Sequence, residues 1–377
     1  MNAVLYVQGV FAMKFIVRLA IFGIAFSSGA FAEEGDGAQR AGGGGQHSAL
    51  PVLLAQAAAK SAAPNVQAEL DALIKAAKAE GGLIIYSGAT ENVAKRVSDA
   101  FSAKYGIKVQ FSRFAAAALM QRFSAEAEAN SFSADLLFFA GGAQAYAEEG
   151  VKKGWIDSIA EAGIPAMKSG EYPARFSRGA SAIVQIAPWM VAYNTEKLKG
   201  ADVPRDWPDL LKPHLKGQIL LPNPASALAY LDFWVLALEK YGPEFFAQLR
   251  SQNPRQYPSG VPAVQALGAG EGMIELPAVP AQVEATRGKG APLATSVIDL
   301  TSGVEMQVML TARAKSKNPN AARLMTHFIM TKEGNTIFND DPGGMTIYDT
   351  SKLPKQYVAP KPGTAARAAE IAKLLGF

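Results

Sequence analysis

From Asn65 onward, short apolar runs alternate with segments of helical periodicity, and this alternation restricts the possible folds more than any other feature of the chain. Ala68, Leu70, Leu73, Ile74 and Ala77 recur at helical spacing until Gly81-Gly82, where glycine ends the helix. Leu83–Tyr86 is a short apolar run suited to a buried strand. Ser87-Gly88-Ala89-Thr90 then turns into a helix over Glu91–Tyr105, closed by Gly106. Lys108–Phe111 reads as a second strand, Ala115–Glu128 as a helix, and Asp135–Phe139 as a third strand leading to Gly141-Gly142 and a helix over Ala143–Glu149. Strands separated by helices pair in parallel, and such a sheet places its ligand crevice at the carboxyl ends of the strands.

The pattern changes after Gly179. Ile183–Asn194 is one long β-type stretch, followed by a connection punctuated by Pro204, Trp207-Pro208 and Lys212-Pro213. A second alternation follows: strand Gln218–Leu221, helices Ser226–Tyr241, Pro243–Gln252 and Val264–Ala269, and strand Gly272–Leu276. Two α/β units joined by extended crossings predict a hinged, two-lobed molecule, and the length of 377 residues suits two cores better than one. No internal repeat is present.

The N-terminus carries a different message. Lys14 and Arg18 precede the apolar run Leu19–Phe26, and Ala30 and Ala32 fit the small-residue rule for signal-peptide cleavage before Glu33. The apolar run is shorter than the ~20 residues a membrane-spanning helix needs. With no cysteine after it for a lipid anchor, export without a membrane anchor is expected. Translation can start at Met1 or at Met13. Residues 33–64, rich in Gly, Ala and Gln, read as a flexible leader. The absence of cysteine also excludes disulfides, thiolate metal sites and cysteine nucleophiles. The formal charge is +4, of which Lys14 and Arg18 supply two, so the body is near neutral and offers no electrostatic case for nucleic acid.

Several stretches in sequence order resemble one family. They are Leu83-Ile84-Ile85-Tyr86-Ser87-Gly88, Ala134–Phe139 followed by glycines, Tyr193–Leu198, Trp207–Leu211, Gly270–Ile274, Lys317–Ala322 and Lys332–Asn335. In this order, over roughly 300 residues, they resemble the periplasmic solute-binding proteins of ABC importers, type II fold, in the branch that contains ferric-iron and thiamine binders. The resemblance implies an α/β, two-lobed fold with hinge crossings near Ser181–Ile183 and Val304–Met306. The lobes would be residues 65–182 plus 307–357 and residues 183–306 plus 358–377, with the C-terminal helix Ala365–Leu375 packed on the second. It also implies a monomeric receptor for a small solute, without cofactor, whose partners are a membrane permease and its ATPase.

Candidate ligand contacts follow from the edges of the expected strands. Ser87 and Thr90 flank a helix start, where free N–H groups favour acceptor atoms; ordinary N-capping is the competing role. Thr90 stands where the iron-binding branch places a ligating residue. Gly141 and Gly142 let a ligand approach the backbone closely, or simply make a tight turn. Trp189 lies in the crossing segment Gln185–Met190, where relatives that bind iron or phosphate carry arginines; an indole there stacks on a flat or apolar solute, or serves the core of a lobe. Asn223 and Ser226 flank Pro224 ahead of the helix with Tyr230 and Trp234. Relatives often have Ser-Gly-Thr here, whereas this chain has Ala227-Leu228-Ala229, so Ser226 is expected as an N-cap and a possible contact, Tyr230 as reaching the cleft and Trp234 as core. Glu275 and Pro277 end the strand where relatives place specificity residues. Ser259-Gly260 form a loop for which an ordinary turn is the stronger reading and reach into the cleft the competing one.

Ferric iron requires hard phenolate and carboxylate oxygens converging on one point. The paired tyrosines of the iron binders are replaced by Val279-Pro280-Ala281, which makes a metal binder the alternative within the family and predicts no metal site. An exported enzyme on a bilobal scaffold is the alternative of another class. His47, His214 and His327 suggest no shared site, and the chain has no nucleophile elbow, phosphate loop, H-E-x-x-H or dinucleotide fingerprint. The expected role is therefore non-catalytic, with an organic solute bearing an apolar or aromatic part as ligand.

Overall fold

The computed structural model describes residues 50–377, with side chains from Asn65. The expected signal peptide and the leader up to residue 49 lie outside the described residues. Residues 50–64, expected as leader, belong instead to helix α1 (Leu50–Glu80), whose alanine-rich sequence has high intrinsic helix propensity. The helix stops at Gly81, which adopts a left-handed φ of 83°.

The first half follows as β1 (Gly82–Ser87), α2 (Glu91–Tyr105), β2 (Lys108–Arg113), α3 (Ala116–Glu128), β3 (Leu136–Phe139), α4 (Ala143–Lys152), β4 (Ile156–Asp157), α5 (Pro165–Lys168) and β5 (Ala182–Pro188). The second half contains β6 (Met190–Asn194), β7 (Ile219–Pro222), α6 (Leu228–Ser251), β8 (Arg255–Tyr257), α7 (Gly260–Gly268), β9 (Ile274–Ala278), α8 (Pro280–Arg287) and β10 (Leu293–Ser296). The chain then runs through β11 (Leu300–Thr301), β12 (Gly303–Thr311), α9 (Pro319–Met330), α10 (Lys332–Phe338), β13 (Gln356–Tyr357) and α11 (Ala368–Leu375).

Two sheets result. The first has the order β2-β1-β3-β12-β4, with β5 also paired to β12, and the second has the order β10-β6-β9-β7-β8. The β1–β2 and β1–β3 pairs are parallel, as are β7–β8 and β7–β9; β12 runs antiparallel to its three neighbours. Each sheet is covered on both faces. Leu136 and Phe138 point into one cluster with Phe101 and Phe328, while Leu137 and Phe139 point into another with Phe123 and Met309, which is why β3 reads as a continuous apolar run. The second sheet packs Val191, Ile219 and Trp234 on one side and Ala192, Leu220 and Val264 on the other.

The long β-type stretch expected over Ile183–Asn194 is two strands belonging to different sheets. Trp189 interrupts it, because its N–H donates to Ser302 O at 2.9 Å. The first sheet holds the chain as far as Pro188 and takes it back at Gly303, so the crossings lie at Trp189 and Ser302 rather than near Ser181–Ile183 and Val304–Met306. A third passage joins them: Tyr357 packs with the first sheet's cluster, Val358 with the second's, and the Val358 N–H donates to Thr301 O at 2.9 Å. The segment α6 is two helices, as expected over Ser226–Gln252, meeting at a break at Gly242 (φ 72°, ψ 177°) just before Pro243.

Candidate functional site

Six helices start just beyond strands that carry parallel pairing: α2 after β1, α3 after β2, α4 after β3, α6 after β7, α7 after β8 and α8 after β9. Their N-cap residues are Thr90, Ala115, Gly142, Ala227, Ser259 and Val279, and none makes a side-chain capping bond. Two helices outside this group, α9 and α10, do have caps. Thr331 Oγ1 accepts the Gly334 N–H at 3.1 Å to start α10, and Glu80 accepts the N–H groups of Asn320 and Ala321 at the start of α9. First-turn N–H groups left without caps keep the positive end of the helix dipole available.

The first sheet contributes Ser87, Thr90, Gly141 and Gly142. Ser87 is buried at the end of β1, and its Oγ accepts the Ala89 N–H at 3.1 Å, so it closes a local turn. Thr90 is exposed at the N-cap position of α2. Gly141 and Gly142 both have positive φ, 68° and 82°, which turns β3 sharply into α4. Gly141 also meets the second sheet's side: a Cβ there would lie 3.8 Å from the Ala229 N and 3.9 Å from Leu228 Cβ. The N-termini of α4 and α6 thus face each other at contact distance. Gly343 abuts Pro280 at the start of α8 in the same way.

Beside the α4–α6 contact is a cavity of about 170 Å³ lined by Gly142, Gln144, Asp232, Glu305, Lys361 and Thr364 among others. Asp232 and Glu305 were not expected from sequence, although an acid inside the apolar runs Tyr230–Leu238 and Val304–Leu310 is a signal that could have found them. Thr364 Oγ1 donates to Asp232 Oδ1 at 2.8 Å. Burial pushes the Asp232 carboxyl up to about 6, the Thr364 bond opposes this, and the Glu305 charge adds to it. Glu305 is raised as well, chiefly by burial, against the Arg178 guanidinium at 3.5 Å and the Tyr357 hydroxyl at 3.2 Å.

Trp189, Tyr230 and Pro277 stand at the carboxyl edge of the second sheet, whereas Glu275, expected at the end of its strand, is the second residue of β9 because that strand runs on to Ala278. Trp189 and Tyr230 pack with ring centroids 5.0 Å apart. Both are buried, as are Glu275 and Pro277, and the Leu276–Pro277 peptide is cis. Glu275 has no hydrogen-bond partner for either carboxylate oxygen, and burial raises it well above the ordinary carboxylate range. Tyr230 is raised by burial first and by the Glu275 charge second. The side-chain oxygens of Tyr230, Gln282 and Glu275 converge on the N-terminus of α7. A Cβ on Gly260 would lie 2.5 Å from Tyr230 Oη, 2.9 Å from Gln282 Oε1 and 3.7 Å from Glu275 Oε1. Gln282 had no sequence signal, since a glutamine on an amphipathic helix ordinarily faces water. Asn223 and Ser226 stand apart. Asn223 Oδ1 accepts the Ala225 N–H at 2.8 Å, and Ser226 Oγ donates to Asn223 O at 2.7 Å. Ser226 is therefore not the N-cap of α6; Ala227 holds that position because the intervening turn Pro224–Ser226 consumes the hydroxyl. Trp234 is fully buried, as a core residue. Among the described residues no group of three or more His, Asp or Glu is placed to hold a metal ion.

Comparison with known proteins places this geometry. Residues 83–341 match the family model described as bacterial extracellular solute-binding protein. An uncharacterized protein of Haemophilus influenzae (strain Rd) is 29% identical over 276 residues, 69% of this chain and 76% of that protein. Among solved structures, the chain is similar to the periplasmic binding protein AfuA of Actinobacillus pleuropneumoniae with fructose-6-phosphate bound (TM-score 0.55, 20% identity, 78% of this chain and 97% of that one). It is also similar to iron-bound HitA of Pseudomonas aeruginosa (TM-score 0.60, 19% identity, 78% and 99%) and to an ABC-transporter substrate-binding protein of Agrobacterium tumefaciens (TM-score 0.63, 16% identity, 78% and 95%). At these identities the structures speak for the fold, which is that of the type II periplasmic binding proteins. The match over more than half of its length, together with that fold, makes this chain a member of the family of bacterial extracellular solute-binding proteins.

Proposed function

We propose that the protein is a non-catalytic periplasmic receptor that closes two lobes on a small organic solute and delivers it to the permease of an ABC importer. Residues 65–188 with 303–357 form one lobe, and residues 190–301 with 358–377 the other. The observation that carries this reading is the meeting of the α4 and α6 N-termini at Gly141 and Ala229 beside a cavity that both lobes line. Groups from both lobes around one solute favour the closed state, since a ligand shifts a two-state equilibrium by its differential affinity. The candidate contacts are Ser87, Thr90, Gly141 and Gly142 from the first lobe and Trp189, Asn223, Ser226, Tyr230, Glu275 and Pro277 from the second or the crossing. Tyr230, Glu275 and Trp189 are favoured among them because Trp189 packs on Tyr230, and Tyr230 and Glu275 both reach Gly260.

The test is a thermal-shift screen of the exported chain against hexose phosphates, polyols, amino acids, amines and ferric citrate, followed by mass spectrometry of the recovered ligand. A solute at 100 times its Kd raises stability by about 2.7 kcal/mol, enough to move Tm by a few degrees. A receptor returns that solute unchanged and contracts in small-angle scattering when it binds. A chemically altered product would overturn the reading in favour of an enzyme, and stabilisation by ferric salts alone would replace the organic solute with a metal.

A further inference from the structure

Polar atoms without partners are not spread evenly over the interior. Four of them belong to residues on or next to β9: both oxygens of Glu275, Oε1 of Gln282 and Nε1 of Trp189. Glu275 is 1% exposed and Trp189 3%, so bulk water does not reach them. A buried polar atom with no partner costs stability, and a protein that keeps several together holds them for something else.

Their chemistry is mixed. Gln282 Oε1 accepts hydrogen bonds, the indole N–H of Trp189 only donates, and the carboxyl of Glu275 does either, according to its protonation. An ammonium group satisfies acceptors and leaves the indole N–H unpaired, while a carboxylate or phosphate only accepts and so leaves the Gln282 oxygen unpaired. A hydroxyl donates and accepts at once. The Trp189–Tyr230 pair adds an apolar wall, suited to the C–H face of a polyol. Gly260 makes the approach possible: any side chain there would collide with Tyr230 Oη and Gln282 Oε1.

We propose that the second lobe recognises a polyhydroxylated solute, with Glu275, Gln282 and the Trp189 indole N–H hydrogen-bonding its hydroxyl groups against the Trp189–Tyr230 wall. This rests on the receptor reading and gives it a substrate class. Burial raises the Glu275 carboxyl well above the ordinary carboxylate range and so favours its neutral form, which meets a hydroxyl without removing a charge from water. An ammonium ligand would require it to ionise.

Isothermal titration of the exported chain with mannitol, fructose, fructose 6-phosphate, 1,4-diaminobutane and succinate tests the class, with Glu275→Gln and Glu275→Leu measured beside the wild type. A hydroxylated compound binds, Glu275→Gln holds its affinity within about threefold because an amide also donates and accepts, and Glu275→Leu weakens it roughly tenfold or more. Unliganded Glu275→Leu melts about 2–4 °C higher, because an unpaired polar group has been replaced by an apolar one. Should Glu275→Leu fail to fold, Gln282→Leu takes its place with the same expected loss. Binding of the diamine or of succinate in preference to every hydroxylated compound overturns the proposal, as does equal loss in Glu275→Gln and Glu275→Leu. If none of the five binds, the small molecule that co-purifies from cells is identified by mass spectrometry: a polyol derivative supports the proposal, and any compound without adjacent hydroxyls refutes it while leaving the receptor intact. Absence of any bound or co-purifying small molecule overturns both.

Discussion

Two carboxylates, Asp135 and Glu275, are each 1% exposed at the sheet of their own lobe, and they are treated in opposite ways. Asp135, just before β3, accepts five hydrogen bonds. Oδ1 takes Ser316 Oγ at 2.7 Å, the Lys317 N–H at 3.1 Å and the Asn318 N–H at 2.9 Å; Oδ2 takes the Ile84 N–H and Asn318 Nδ2, both at 2.9 Å. Glu275, inside β9, accepts none. A buried acid that ties β1 to the loop before α9 is a fastener, and its removal leaves several donors stranded. A buried acid with no bonds holds nothing together. The contrast separates what the lobe architecture needs from what it tolerates, and it is the reason to look for a ligand at the second position and not at the first.

The sharpest attack on this contrast is Asp135→Ala. Truncation strands the Ile84, Lys317 and Asn318 N–H groups inside the protein, at about 1–3 kcal/mol each before relaxation. We expect a loss of roughly 4 kcal/mol in denaturant unfolding, among the larger effects single substitutions produce. A loss under 1 kcal/mol would mean that the five bonds are replaced by water and that the fastener description fails.

His327 asks whether a missing partner is by itself the mark of a site. Its Nδ1 is also buried and unpartnered, yet it lies in α9, away from the strand edges. Burial lowers its pKa from 6.5 to about 4, and the Lys104 charge adds to the effect. Because the folded value is depressed, the unfolded chain takes the proton first. The stability it contributes is complete above pH 7 and lost as pH falls towards 4, by about 3 kcal/mol. Tm of His327→Leu should fall less than that of the wild type over this interval, with ligand affinity unchanged at pH 7. An affinity change would tie α9 to binding and blur the distinction between the two regions.

Much of the architecture was legible because local signals and packing agree. The helix Glu91–Tyr105 ends at Gly106, which takes the left-handed φ of 71° that its glycine promises. The strand β3 reads as apolar throughout because both faces of the first sheet are covered. The crossing was displaced because a β-type stretch carries no sign of which sheet each half joins; only the pairing of Trp189 with Ser302 decides it. The strand β12, central to the first sheet, went unassigned, since its partners β3, β4 and β5 lie far away in sequence. The same limit applies to the site. Tyr230 and Trp189 were legible as helix-start and crossing residues and the Ser259-Gly260 loop as one that reaches this region. Glu275, by contrast, is second in its strand and not at its end, and Gln282 and the meeting of Asp232 and Glu305 at one cavity arise from long-range packing.

Asp232 stands between the two carboxylates and offers the finest test. It keeps one bond, from Thr364, and is 9% exposed on a cavity that both lobes line. Its folded pKa is raised from 3.8 to about 6, so its contribution has the opposite sign to that of His327. Below pH 4 both folded and unfolded chains hold the proton and nothing is lost; as pH rises through 6 the folded state must ionise a buried acid and is destabilised. The full shift would amount to about 3 kcal/mol, and water in the cavity screens part of it, leaving roughly 2 kcal/mol. Asp232→Asn keeps an acceptor for Thr364 and removes the charge, so it should match the wild type near pH 4 and exceed it by that amount above pH 7. If the two proteins instead run parallel across the range, the cavity solvates Asp232 fully. The three acids would then divide simply into one that is bonded, one that is wet and one that is neither, leaving Glu275 alone as the carboxyl the fold keeps unsatisfied.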